Sequence, residues 1–302
     1  MSSRMSAILL CRSYAAIQVS LLALFLAPTA LAQLNWEGQT GGLLTAYAYS
    51  SESSSRGLGR PELAFHYADG GPALGDEFQA SVTIGFLKIG EAGFTRSFNA
   101  QGSSPTLGPL FANGFNSFHV KFRLLSEGPH LAGFAPAIAA GAIVRTQVRR
   151  ITEVKEGENT TCTDFYLVAS KRIQVLRRIP VLLTAGEKLT NAVWLGLAAN
   201  SPNWEFRAFG AVAFELTGPR KSHLTFGTEV IQEPRQFKEV PGPFFPTAAS
   251  VPTTLAYFAR MKPGENAHFQ FELGVAQFGG NLGTNWNIQA RHQITSGISY
   301  RF

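Results

Sequence analysis

The chain has 302 residues, a formal net charge of +6, only 15% charged residues and 24 phenylalanines. So low a charged fraction with so many aromatic side chains argues against a water-soluble exported domain and for a chain that turns apolar surface outward. Its two cysteines, Cys11 and Cys162, offer no disulfide framework, and the modest charge excess is no nucleic-acid footprint.

Residues 1–32 read as a secretory signal peptide. Arg4 and Arg12 give a basic start, Ala15 to Ala27 an apolar run, and Ala30-Leu31-Ala32 an A-x-A cleavage site before Gln33. The run is short for a bilayer span, and no later stretch approaches the length of a transmembrane helix. Cleavage would leave Cys162 as the one cysteine. Residues 33–60 are rich in glycine and serine and form an N-terminal segment. It is expected in the periplasm or tucked into a lumen. A further strand from Leu43 to Tyr49 is less favoured, because it would break an even strand count.

Residues 61–302 are dominated by period-two alternation. In 79–86, Ala80, Val82, Ile84 and Phe86 oppose Gln79, Ser81, Thr83 and Gly85. In 118–124, Phe118, Val120, Phe122 and Leu124 oppose His119, Lys121 and Arg123. In 204–216, Trp204, Phe206, Phe214 and Leu216 oppose Glu205, Arg207 and Glu215. In 268–275, Phe269, Phe271, Leu273 and Val275 oppose His268, Gln270 and Glu272. Weaker segments lie near 61–68, 91–98, 133–145, 163–172, 179–187, 222–231 and 253–261. The chain closes on a strand in which Ile294, Ile298, Tyr300 and Phe302 share one face.

Connection lengths choose between a soluble sandwich and a membrane barrel. Counted back from Phe302, long stretches (278–292, 232–252, 188–202, 146–162, 99–117) alternate with short ones (262–266, 217–221, 173–178, 126–132, 87–90), and 69–78 is again longer. A barrel with tight turns on one rim and long loops on the other has this pattern; a sandwich has no reason for it. The fold class is therefore all-β: an up-and-down antiparallel transmembrane β-barrel of about twelve strands, between roughly ten and fourteen. Its short turns are periplasmic, its long loops extracellular, and both ends lie on the periplasmic rim.

The terminal "YRF" carries a resemblance. The chain resembles Gram-negative outer-membrane β-barrel proteins, whose last strand ends in an aromatic residue with aromatics at alternate positions before it. That implies a cell outer-membrane location, contact with lipid and lipopolysaccharide, and recognition of Tyr300 and Phe302 as an assembly signal by the barrel-assembly machinery. Residues 60–71 ("RPELAFHYADGG"), 163–171 ("TDFYLVASK") and 288–302 ("IQARHQITSGISYRF") are similar to a family of predicted outer-membrane proteins of unassigned function, which brings no catalytic residues.

Inward polar residues are the candidate site. His119, Lys121 and Arg123 form a positive column. A turn at 217–221 would place residue 216 opposite 222 and Glu215 opposite His223, with Arg207 diagonal to Glu229. A turn at 262–266 would set Arg260 opposite His268, near Gln270 and Glu272. These residues are expected either to line a constriction for small hydrophilic solutes, favouring anions, or to fill a narrow barrel with charge pairs. Ala135, Ala137, Ala139 and Gly141 would leave room for an open path. The alternatives are a non-conducting envelope barrel with a structural or surface-polymer export role, and an outer-membrane hydrolase using His292 and Ser296. The hydrolase lacks an orienting acid, so no enzyme is expected, and no cofactor or metal. Arg96 falls on the apolar side, facing lipopolysaccharide phosphates or turned inward by a bulge. The proline-rich 232–252 stretch could serve as a plug, a gate or a stiff surface loop.

Overall fold

A computed structural model of the chain describes residues 33–71, 75–101, 114–128, 135–147, 161–176, 179–194, 198–234, 253–279 and 292–302. Twelve antiparallel strands follow one another around a closed barrel. They are β1 (Glu62–Asp69), β2 (Gly75–Phe86), β3 (Gly90–Gln101), β4 (Asn116–Leu125), β5 (Ala137–Thr146), β6 (Cys162–Leu176), β7 (Ile179–Trp194), β8 (Ala198–Thr217), β9 (His223–Gln232), β10 (Thr253–Lys262), β11 (Phe269–Phe278) and β12 (His292–Arg301). Each strand pairs with its sequence neighbour, and β12 returns to β1.

Alternation explains closure. A side chain at every second position points outward, and those positions carry the chain's apolar surface: Phe65, Phe118, Phe122, Phe206, Leu273 and Ile294 are all exposed. The intervening positions point inward and are buried, as with Glu62, Glu91, Lys121, Arg145, Glu229 and Glu272. Left in water, that girdle would cost about 25 cal/mol per Å² of apolar surface. In lipid it costs nothing, and a closed sheet leaves no unpaired edge. The molecule is an outer-membrane β-barrel.

The terminal strand forms the seam. Leu63 pairs with Tyr300, Phe65 with Ile298 and Glu62 with Arg301. Arg301 Nη2 lies 2.8 Å from Glu62 Oε2 on the inner side. On the outer side Tyr300 meets Phe269 at 4.8 Å and Phe302 edge-on at 5.0 Å between ring centroids. The alternation that runs to the last residue is thus the alternation of a strand held from both sides.

Several sequence expectations shift. The described residues of the 188–202 stretch are strand rather than loop: β7 runs on to Trp194 and β8 begins at Ala198, with a register irregularity between Thr190 and Ala192. The 70–74 connection is shorter than expected, since β2 begins at Gly75. At the β8–β9 turn, Leu216 pairs with Leu224 and Glu215 with Thr225, not with His223. The cause is a five-residue connection containing a 3-10 turn at Pro219–Lys221, with Arg220 and Lys221 at positive φ of 55° and 57°. Arg96 needs no bulge: β3 pairs regularly with β2 past it. Its guanidinium donates to Asn116 Oδ1 and Gln147 Oε1 and lies 5.5 Å from the Phe98 ring centroid.

No strand from Leu43 to Tyr49 joins the sheet. Residues 33–48 instead fold on themselves through local bridges, Leu34 with Thr40 and Gly41 with Ala46. Asn35 Oδ1 accepts the amides of Glu37 (3.0 Å) and Gln39 (2.8 Å), and Gly38 takes φ of 80°, where a side chain would be strained. This small compact unit is buried almost throughout.

Candidate functional site

The candidate site is the lumen, and the segment around residues 33–51 occupies it. Inward-facing residues of the wall hold the segment at four charged nodes. On β3, Glu91 accepts the Thr40 amide (2.8 Å), the Thr40 hydroxyl (2.5 Å) and the Ser51 amide (2.7 Å). Lys121 on β4 stands 2.8 Å from Glu91 and donates to the Thr40 carbonyl at 2.9 Å. On β9, Glu229 accepts the Leu44 amide (2.7 Å), the Thr45 amide (3.3 Å) and the Thr45 hydroxyl (2.7 Å). Arg260 on β10 pairs with Glu272 on β11 and donates to the carbonyls of Gly41 (2.6 Å) and Gly42 (2.5 Å). Arg145 on β5 bridges Glu37 of the segment (2.6 Å) and Asp164 of β6 (2.8 Å).

Burying these ions unpaired would cost several kcal/mol each. They are tolerated because Glu91, Lys121, Arg145, Asp164, Arg260 and Glu272 each meet an opposite charge, while Glu229 is held by three hydrogen bonds from Leu44 and Thr45. Neutral contacts add to them: Thr83 and Thr95 hydroxyls donate to the carbonyls of Gly38 and Glu37, and the Ala48 amide donates to Ser170 Oγ. Trp36 packs 5.7 Å from the His66 ring of β1. Two glycines make the fit possible. A Cβ on Gly42 would lie 1.6 Å from Glu229 Oε1, and one on Gly41 would lie 2.1 Å from the Thr45 carbonyl.

Two apolar clusters complete the seat. Leu43 and Tyr47 pack with Leu182, Ala211, Ala213, Ala256 and Phe258. Ala46 and Ala48 pack with Ala137, Ala139, Ile143, Tyr166 and Val168. The small residues of β5 therefore do not leave a path open. Their space is taken by the segment and by Tyr166, whose ring would meet a Cβ at Gly141.

The eight lumen candidates are separated by this geometry. Lys121, Glu229, Arg260 and Glu272 join in anchoring the segment. His119 is buried beside Thr83, with Nε2 3.4 Å from its hydroxyl. Arg123 lies at the short-turn rim, donating to the Lys88 carbonyl. Arg207 pairs with Glu205 and sits opposite Lys188, while Glu229 sits opposite Ala211, so the two are not diagonal neighbours. Arg260 faces Glu272, not His268. His268 precedes β11 and is exposed, stacked on Tyr300 with Nδ1 2.6 Å from the Arg301 carbonyl. The wall is also richer in acids than the basic column suggested, since Glu62, Glu91 and Glu272 partner Arg301, Lys121 and Arg260. Sequence reasoning missed Glu37, Glu91, Arg145 and Asp164; the signal was their place on the polar side of alternating strands or next to the Gly38 turn.

Other candidates fare differently. Cys162, the last residue of the long 146–162 stretch, is the first residue of β6, opposite Arg145 and buried. His292 and Ser296 share the outer face of β12 but sit four residues apart, about 13 Å along a strand, too far for a nucleophile and its base. Most of the 232–252 stretch lies outside the described residues. Among the described residues no group of His, Cys, Asp and Glu is arranged to hold a metal ion.

No protein-family model matches the chain, and no curated protein does. The similarity of residues 60–71, 163–171 and 288–302 to a family of predicted outer-membrane proteins therefore has no family model behind it. Among solved structures, the chain resembles the NanC porin, with 8% identity over 80% of this chain and 100% of that one and a TM-score of 0.46. The KdgM porin in complex with disordered oligogalacturonate gives 7% identity, 80% and 99% coverage and a TM-score of 0.44. The beta domain of the Bordetella autotransporter BrkA gives 11% identity, 82% and 100% coverage and a TM-score of 0.41. Likeness at this level says nothing about solute or partner.

Proposed function

We propose that the protein is a plugged channel of the Gram-negative outer membrane, exported by cleavage after Ala32, which passes small hydrophilic solutes when its N-terminal segment shifts. The observation that carries this reading is the chemistry of the seat. A lumen meant to stay filled for good is most simply packed with apolar side chains, which avoids the desolvation of ions. This lumen keeps Glu91, Lys121, Glu229 and Arg260 pointing inward and satisfies them with segment backbone, with Glu272 paired to Arg260 beside them. Water can replace backbone at each of those bonds, so the vacated wall would be a wettable, charged conduit.

The second reading is a permanently closed barrel serving envelope structure or export of a surface polymer. The two apolar clusters between segment and wall favour it, because shifting the segment would wet Leu43, Tyr47, Ala46 and Ala48.

Planar-bilayer recording separates the two. The proposal expects residues 33–302 to show little steady conductance and residues 52–302, folded and heat-modifiable, to conduct stably. The double variant Glu91→Gln/Glu229→Gln, which keeps the chain intact, should open intermittently. A folded 52–302 barrel that does not conduct would establish the closed reading.

A further inference from the structure

Above the segment, on the side of the long connections, lies a cavity that the segment leaves unfilled. Trp36, Glu37 and Leu44 of the segment contribute to it, with wall residues including Phe115, Ile231 and Phe278. Its volume is about 80 Å³. A water needs about 10–15 Å³ on that scale, so the space suits a ligand of roughly five to eight heavy atoms.

The polar groups of this cavity are unevenly satisfied. Glu37 is engaged by Arg145. Glu77 accepts from Gln79 and, weakly, from Ser97. Lys188, the one base of the lining, stands 3.6 Å from Asp164. Three atoms, however, make no well-formed hydrogen bond although their residues are no more than 3% exposed: Glu233 Oε2, Thr254 Oγ1 and Thr295 Oγ1; the Thr254 hydroxyl lies beside the Glu233 carboxylate, and Lys188 lies within electrostatic reach of it. Glu233 follows directly on β9, and Thr254 and Thr295 belong to β10 and β12, on one arc of the wall. A buried polar atom left so carries its desolvation penalty uncompensated. Ile231, Phe278, Phe115 and Leu44 supply apolar surface alongside them.

We propose that this cavity binds a small amphipathic cation, its ammonium or guanidinium head on Glu233, Thr254 and Thr295 and its apolar body against Leu44, Phe115, Ile231 and Phe278. A carboxylate acceptor beside hydroxyls selects a donor head, and three acids against one base in the lining reject an anionic one. Because Trp36 and Leu44 belong to the segment, the ligand rests on the plug itself. Binding does not depend on conduction, so this assignment stands or falls separately from the channel reading.

The test uses residues 33–302 in lipid nanodiscs, with Trp194, Trp204 and Trp286 replaced by Phe so that Trp36 alone reports. n-Butylammonium, n-butanol and butyrate share one chain and differ in head. Butylammonium should change Trp36 emission saturably, and butyrate should not. Glu233→Gln should weaken butylammonium about tenfold, equivalent to about 1.4 kcal/mol, while leaving butanol within about twofold on the same scale. The double variant Thr254→Val/Thr295→Val should weaken both the ammonium and the alcohol. Equal responses to the ammonium and the carboxylate, no saturable response to any of the three, or an unchanged butylammonium affinity in Glu233→Gln would each overturn the proposal.

Discussion

Glu229→Ala isolates the anchoring of the segment better than any other single change. The carboxylate is 1% exposed, and its three hydrogen bonds all go to residues 44 and 45. A hydrogen bond to a charged group contributes roughly 1.5–3 kcal/mol, but three that share one carboxylate are not additive. About 3 kcal/mol is therefore the working figure for the loss of local docking, or roughly a hundredfold in the local opening equilibrium. The segment as a whole should remain seated, because Glu91, Lys121, Arg145 and Arg260 still hold Glu37 and residues 40–42 and 51. Residue-resolved amide hydrogen exchange reads the difference. The Leu44 and Thr45 amides should lose about two orders of magnitude of protection, while the Thr40 and Ser51 amides change by less than about threefold. Unchanged protection at Leu44 and Thr45 would refute the claim that Glu229 anchors them. Parallel loss at Thr40 and Ser51 would refute the independence of the nodes.

Gly42→Ala should act on the same node from the other side, since its Cβ would lie 1.6 Å from Glu229 Oε1; a lowered thermal midpoint that Glu229→Ala partly rescues in the double variant is the expected result. Deleting Phe302 removes the ring packed on Tyr300, and the folded, heat-modifiable fraction in the membrane should fall; an undiminished fraction would detach the terminal aromatic from assembly. Cys162 is buried and faces Arg145, so an impermeant maleimide on intact cells should leave it unlabelled, whereas strong labelling would place that end of β6 in solvent. Lys121→Glu sets a second carboxylate against Glu91 in place of their 2.8 Å pair and should loosen the Thr40 amide in hydrogen exchange while leaving Leu44 protected.

The barrel was legible because its signal is local. Phe118, Val120 and Phe122 against His119 and Lys121 state which face each residue takes, whatever the partner strand. Turn geometry was less visible. The sequence sets Arg260 against His268 because it does not show that His268 stays outside β11, which moves the pairing to Glu272. The ends of β7 and β8 read as loop because the register irregularity between Thr190 and Ala192 interrupts their alternation. The lumenal segment was hardest to read. It has no alternation, and its partners lie 51 positions away at Glu91 and 219 at Arg260. What the sequence did offer was Gly41-Gly42 beside the Asn35 and Gly38 turn, together with more inward charge than a narrow barrel can hydrate.

In the native membrane residues 33–51 are expected inside the barrel. A photo-crosslinking residue at position 46 tests this most directly, because Ala46 packs against Ala137, Ala139, Ile143, Tyr166 and Val168. Irradiation of intact cells should give a crosslink within one chain, mapped by mass spectrometry to β5 or β6. Crosslinks to separate periplasmic proteins, with none to β5 or β6, would place the segment outside the lumen and contradict the account.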